Sequence, residues 1–349
     1  MSIAKMRLPM GRRYPIGAEP SRDGVSFRVW AADRKRVSVV VEGHPETELE
    51  RDASGMFSGT VRSARTGDRY RFRLDGESTL YPDPASRFQP EGPHGPSQVI
   101  DPSTYRWNDA SFRGIEVDRR VVYEMHVGTF TREGTFAAAI EELTRLAALG
   151  VTLVEIMPVA DFAGEFGWGY DGVNLWAPTR LYGAPDDLRR FVDAAHAKGI
   201  GVVLDVVYNH LGPSGNYLTQ FSKSYFNEKH KTDWGAAINF DAEGSERVRE
   251  FFVENAAYWI DEFHLDGLRF DATHAIIDDS PTHVLFLITR RAREAAGGRP
   301  LFLVAESESQ EAYLARSVES GGCGMDALWN DDFHHSAVVA LTGKREAYY

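Results

Sequence analysis

Up to about Trp107, hydrophobic residues recur at every second position. Val25, Phe27 and Val29 fall on one face, and Val37, Val39 and Val41 on another. Tyr70, Phe72 and Leu74 interleave with Arg69, Arg71 and Arg73. A period of two predicts half-buried strands. The pairs Asp23-Gly24, Glu42-Gly43, Ser54-Gly55 and Asp75-Gly76 are turn signals between them. Together they predict a small all-β, immunoglobulin-like sandwich over residues 1–110. The Pro-rich segment from Pro82 to Pro102 is expected to form a covering loop or linker, because proline donates nothing to a sheet ladder.

From about Arg120 the rhythm becomes strand, helix, strand. Strands are predicted at Val121 to His126, Val151 to Met157, Ile200 to Val207, Leu265 to Phe270, Leu301 to Ala305 and Met325 to Trp329. Helices are predicted at Phe136 to Ala148, Leu188 to Ala197, Ser245 to Phe263 and Thr282 to Ala296. The first should bury Phe136, Ile140, Leu143 and Ala147. Near-continuous apolar strands alternating with helices imply an α/β unit, residues 111–349, with a parallel sheet covered on both faces. Functional side chains should then gather at the strands' C-terminal ends.

Composition narrows the partners. The 349 residues are 43% hydrophobic and 26% charged, enough for two domains with sizeable cores. A formal net charge of −12 argues against nucleic acid, whose phosphates an acidic surface repels. The single cysteine, Cys323, excludes an intrachain disulfide and has no His/Asp pair beside it, so an inert thiol is expected. Met1 to Arg7 holds no apolar core of signal-peptide length, and no uncharged run approaches bilayer length. The chain reads as soluble and cytoplasmic, with no membrane partner.

Three predicted strands end in polar clusters: Asp205-Val206-Val207-Tyr208-Asn209-His210, Arg269-Phe270-Asp271 and Glu306-Ser307-Glu308. One such cluster would be read as a helix cap or a structural ion pair. Three at the same end of successive strands point to a shared site for acid/base chemistry.

These motifs, in order and spacing, resemble those of the α-amylase family of glycoside hydrolases. The resemblance runs from about Tyr14 to the end. The first region is similar to the carbohydrate-binding-like domain that precedes the barrel in glycogen-branching and debranching relatives. Gly167 to Gly172, Asp205 to Tyr217 and Trp329 to His335 resemble a trehalose-releasing branch of the family. The implied fold is a TIM (β/α)8-type barrel after the sandwich. The implied activity is retaining hydrolysis of the α-1,4 bond next to the trehalose end of malto-oligosyltrehalose or a related α-glucan, without cofactor or metal. Branching or debranching of α-1,4-glucan is the alternative within the family.

The resemblance also implies roles. Asp271 would be the nucleophile and Glu306 the general acid/base, with carboxyls roughly 5–5.5 Å apart. Arg269 would keep Asp271 ionised, and the nearby Asp271 charge would help keep Glu306 protonated. His210 would hydrogen-bond the sugar, Tyr170 would stack on it, and Asp205 would organise Arg269. His274 either contacts the departing portion or is a residue at a helix N-terminus. Asp331 and Asp332 include a cap for the following helix, with a subsite-lining role for the rest of that motif, Asp331 among them. Asn209 resembles a calcium-binding position of many α-amylases, but no accompanying acidic loop is evident.

One family feature is missing. A third carboxylate, an Asp following a His near the seventh strand, has no match: no His-Asp dipeptide follows Glu306. Residues 120–349 are slightly fewer than the roughly 250 of a complete barrel and supply six candidate strands. The expectation is a barrel truncated after about its sixth strand, with two exposed sheet edges and severely reduced or no activity. A non-catalytic glucan-binding remnant is the rival reading.

Overall fold

The computed structural model describes residues 11–116, 119–308 and 311–346. The stretch Met1 to Arg7, considered above as a signal segment, lies outside them.

Two antiparallel sheets form the first region. One orders Gly17–Ser21, Gly24–Trp30, Met56–Val61 and Glu50–Arg51 side by side. The other orders Thr47–Glu48, Val37–Val41, Arg69–Leu74 and Leu80–Tyr81. The alternating residues Val25, Phe27, Val37, Val39 and Phe72 are fully buried between them. The Pro-rich segment departs from expectation in one place. Ser97–Gln98, placed just after Pro96, pairs with Tyr70 and Arg69 and so extends the second sheet. Most of its remaining residues are buried rather than draped, Glu91 and His94 being exposed. Asp83 accepts from the Tyr70 hydroxyl at 2.7 Å. The Arg87 guanidinium lies 4.3 Å from the Trp176 ring and 4.7 Å from that of Tyr258, tying the segment to the second region by cation–π contact.

The second region is a six-stranded parallel sheet: β1 (Val122–Met125), β2 (Leu153–Ile156), β3 (Gly201–Val206), β4 (Gly267–Phe270), β5 (Phe302–Glu306) and β6 (Ala327–Trp329), in that spatial order. Among the described residues, β1 and β6 pair on one side only, as expected of an incomplete barrel. Helices α1 (Phe136–Ala148), α2 (Pro185–His196), α3 (Ser245–Glu262) and α4 (Val284–Ala295) connect them. The inner face of α1 is Phe136, Ala139, Leu143 and Leu146, turned slightly from the predicted stripe. Ile140 and Ala147 pack at its margin.

The period of two along each strand sorts the core into two clusters. Val154, Ile156, Val202, Leu204, Leu268, Phe270 and Leu303 face the helices and join the main core. Leu153, Val203, Phe302 and Val304 face the interior of the curl, with Trp329 against them. Asp205 and Arg269 share that interior parity, two residues beyond Val203 and Gly267. The sheet therefore delivers its polar ends to the concave side.

Two hairpins were not anticipated, whereas the helix expected after Trp329 is present. A hairpin of Ala160–Asp161 and Asn174–Pro178 sits in the loop after β2. A second, Phe226–Thr232 with Gly235–Ile238, sits after β3. A helix, α5 (Asp331–Thr342), follows β6 and has no buried residue. No helix among the described residues is long and apolar enough to cross a membrane.

Candidate active site

Arg269, on β4, is the hub of the polar strand ends. Its Nη1 donates to Asp205 Oδ2 and to Asp271 Oδ1, both at 2.8 Å. Its Nη2 lies 3.0 Å from Glu306 Oε2. One guanidinium thus joins the ends of β3, β4 and β5. Asn209 holds the other side of Asp271, its Nδ2 donating to Oδ2 at 2.9 Å and to the backbone carbonyl at 3.0 Å. The Tyr170 hydroxyl donates to Asp205 Oδ2 at 2.9 Å. One ring nitrogen of His210 lies 2.9 Å from the Tyr170 carbonyl and the other contacts Asn209 Oδ1.

The backbone after β4 completes the arrangement. Ala272 adopts φ 40°, a left-handed conformation that costs a residue with a Cβ about 1–2 kcal/mol. The turn aims the Ala272 N–H at Glu306 Oε2, 2.8 Å away. Thr273 Oγ1 donates to the Glu306 carbonyl at 2.6 Å.

Burial and charge shape the protonation. Burial pushes Asp205 up to about 7 against the pull of Arg269. Burial is also the first cause of the raised Glu306, with Arg269 and the Ala272 N–H pulling the other way and Asp271 and Asp331 adding to the rise. The expected influence of Asp271 on Glu306 is therefore present but secondary to desolvation. Burial opposes the charge on Arg269, yet Asp205, Glu306 and Asp271 together raise its affinity for the proton.

Of the sequence candidates, Asp205, Asn209, His210, Tyr170, Arg269, Asp271 and Glu306 form one bonded cluster. His274 lies in the single 3-10 turn Thr273–Ala275 beyond Asp271, its Nε2 3.9 Å from Glu308. Asp331 is near enough for its charge to act on Glu306. The helix cap belongs to neither Asp331 nor Asp332: Asn330 Oδ1 accepts from the Phe333 N–H at 2.7 Å, leaving both acids in the first turn. There they face the helix's positive end. Cys323 is buried, and burial followed by the Glu311 charge pushes its thiol up to about 11, away from nucleophilic form.

Sequence reasoning missed Trp234, which stacks on His210 with centroids 5.2 Å apart and planes 12° apart. It lies at the turn of the second unanticipated hairpin, for which no alternation gave warning. Among the described residues, His230, Asp241 and Asp279 offer ligand atoms within 4.8 Å of one another and could hold a cation. His230 already contacts Asp241 at 2.9 Å, and the Asp279 backbone N–H donates to the same carboxylate.

The chain thus presents a β-sandwich followed by a parallel sheet in which one guanidinium joins three strand-end carboxylates, and the comparisons identify the class of protein with this arrangement. Residues 104–244 match the family described as Alpha amylase, catalytic domain, and residues 15–102 match Carbohydrate-binding module 48 (Isoamylase N-terminal domain). The chain belongs to the α-amylase family. It is 46% identical to a malto-oligosyltrehalose trehalohydrolase of Saccharolobus solfataricus, over 96% of this chain and 58% of that enzyme. It is 44% identical to another from Arthrobacter ramosus, over 93% of this chain and 57% of that enzyme. A crystal structure described as a putative alpha amylase from Salmonella typhimurium matches with a TM-score of 0.90 and 45% identity, over 96% of this chain and 57% of that one. The chain spans a little over half the length of the curated relatives it matches.

Proposed function

We propose that the chain carries the nucleophile and acid/base portion of a retaining hydrolase that releases trehalose from malto-oligosyltrehalose in the cytoplasm. The observation that carries this reading is the shared guanidinium: Asp271 and Glu306 both lie within hydrogen-bond reach of Arg269. A retaining mechanism requires two such carboxyls close together in opposite protonation states.

Asp271, held by Arg269 and Asn209, attacks the anomeric carbon of the sugar next to trehalose. Glu306 transfers its proton to the departing glycosidic oxygen as the carbon–oxygen bond breaks. It then takes a proton from the water that cleaves the glycosyl–Asp271 ester, which restores both groups. Burial favours the protonated form of Glu306 that the first step consumes. Tyr170 stacks on the sugar, and His210 hydrogen-bonds it by giving up one of its two present contacts, to the Tyr170 carbonyl or to Asn209. Asp205 organises Arg269, and His274 and Asp331 face the departing portion. No cofactor or metal enters the scheme.

Incubation with malto-oligosyltrehalose tests the reading. Free trehalose is expected, and none from Asp271→Asn. Products from plain α-glucan with no trehalose would favour a branching or debranching activity instead. A second reading, glucan binding without turnover, is favoured by the match of residues 15–102 to Carbohydrate-binding module 48. It predicts binding unaltered by Asp271→Asn and no hydrolysis.

A further inference from the structure

Glu155 is the one charged residue in the apolar run Val151 to Met157, and it is 1% exposed on β2. A strand interior does not bury a carboxyl without a reason. In register it stands between Glu124 on β1 and Val203 on β3. It therefore faces the interior of the curl, on the same side as Asp205, two residues further along β3. Diagonal neighbours of this kind lie about 7–8 Å apart, within reach of a glutamate side chain.

Two loose ends meet there. Glu155 Oε1 and Asp205 Oδ1 are both buried without a hydrogen-bond partner. The Trp329 indole on β6, from across the curl, acts on the Glu155 carboxyl in favour of its charged form, more weakly than burial opposes it. The charged groups acting on Glu155 are Asp205, Arg269 and Glu124. Arg269 is the cation among them; its two Nη atoms already serve Asp205, Asp271 and Glu306, and its Nε is buried without a partner, so it makes no hydrogen bond to Glu155. A further ionised carboxylate would be buried without compensation. Burial first, then the Asp205 charge, push Glu155 up to about 8.

We propose that Glu155 is a positioning residue for the reaction centre. Its carboxyl carries a proton at neutral pH and directs it at Asp205 Oδ1, holding Asp205 against Arg269 and, through Arg269, fixing Asp271. The consequence for hydrolysis rests on the function proposed above; the proton and its direction do not, and they are tested without turnover.

Infrared difference spectra of the full chain, taken across neutral to alkaline pH, read the carbonyl stretch of protonated carboxyls. One such band should vanish in Glu155→Gln, and in Asp205→Asn the same band should persist but move, because its acceptor has changed. Should Asp205→Asn not fold, the carboxyl-carbon NMR resonance of Asp205 reads the direction instead. It should move in Glu155→Leu and stay near its original place in Glu155→Gln, which keeps a donor. Unfolding gives an independent measure. A raised carboxyl contributes stability below its ordinary 4.5 that is lost as pH rises through about 8. The parent chain should therefore lose ground to Glu155→Gln across that interval. A spectrum with no band assignable to Glu155, a band indifferent to Asp205→Asn, or a stability difference independent of pH would each overturn the proposal. A chain that shows these signals but never hydrolyses substrate would overturn the proposed function instead.

Discussion

Arg269 reaches Glu306 directly, Nη2 to Oε2 at 3.0 Å, while its other terminal nitrogen holds Asp271. A cation in contact with a general acid opposes the protonation that the acid needs. Burial outweighs it here, since Glu306 is raised overall. The same guanidinium therefore holds Asp271 in place and moderates, without abolishing, the upward shift of Glu306.

Removing that cation should be severe. Arg269→Met leaves Asp205, Asp271 and Glu306 facing one another in a buried site. Breaking one partner of a buried pair costs about 3–5 kcal/mol. Denaturant unfolding should show a loss of that order, together with loss of any hydrolysis. Arg269→Lys, a point charge without the planar fork, should recover part of the stability but little activity.

Activity should fall on the alkaline side as Glu306 deprotonates. For stability the sign is the same: a raised carboxyl contributes below its unfolded value and loses that contribution as pH rises through its folded value. Glu306→Gln should therefore remove one pH-dependent component from the unfolding curve while abolishing turnover, measured by paired melts and rate profiles.

A second titrating network lies where α2 ends. His196 contacts Asp266 at 2.8 Å and Asp109 at 3.0 Å, and Asp109 also contacts His264 at 2.8 Å. Burial opposes the charge on His196, but Asp266 and Asp109 raise it overall. Its contribution should be full below about 6.5, the ordinary histidine value. It should be lost as pH rises through the folded value. His196→Gln should flatten the stability profile in that range, and a profile unchanged by the substitution would refute the pairing.

Two backbone positions give stability tests. A Cβ on Gly267 would meet the Phe302 carbonyl oxygen at 1.9 Å, on the strand next to the site. Gly267→Ala should cost about 3 kcal/mol or more, because backbone rather than a flexible side chain must move. Ala272 is already left-handed, so Ala272→Val should destabilise through β-branching, whereas Ala272→Gly should change stability by less than about 1 kcal/mol. Denaturant midpoints distinguish these outcomes.

The six strands and four helices were legible because their apolar runs are long and bounded by Gly or polar clusters. The strand-end carboxylates were legible for the same reason, each closing an apolar run. The two hairpins were not: Phe226 to Thr232 is mostly polar and Ala160-Asp161 is two residues long, so neither carries a strand's alternation. Asn330, Asp331 and Asp332 are all good caps, and composition alone could not choose among them. Glu155 was visible as a lone charge in an apolar run, but only the register shows that it shares the interior with Asp205.

Trapping the intermediate tests the central claim most directly. A fluorinated glucosyl donor that forms the covalent intermediate but hydrolyses slowly should leave one sugar on the peptide containing Asp271, found by mass spectrometry after digestion. The adduct should be absent from Asp271→Asn and from Arg269→Met. Hydrolysis that proceeds with no such adduct, or an adduct on another carboxylate, would contradict the assignment of Asp271 as nucleophile.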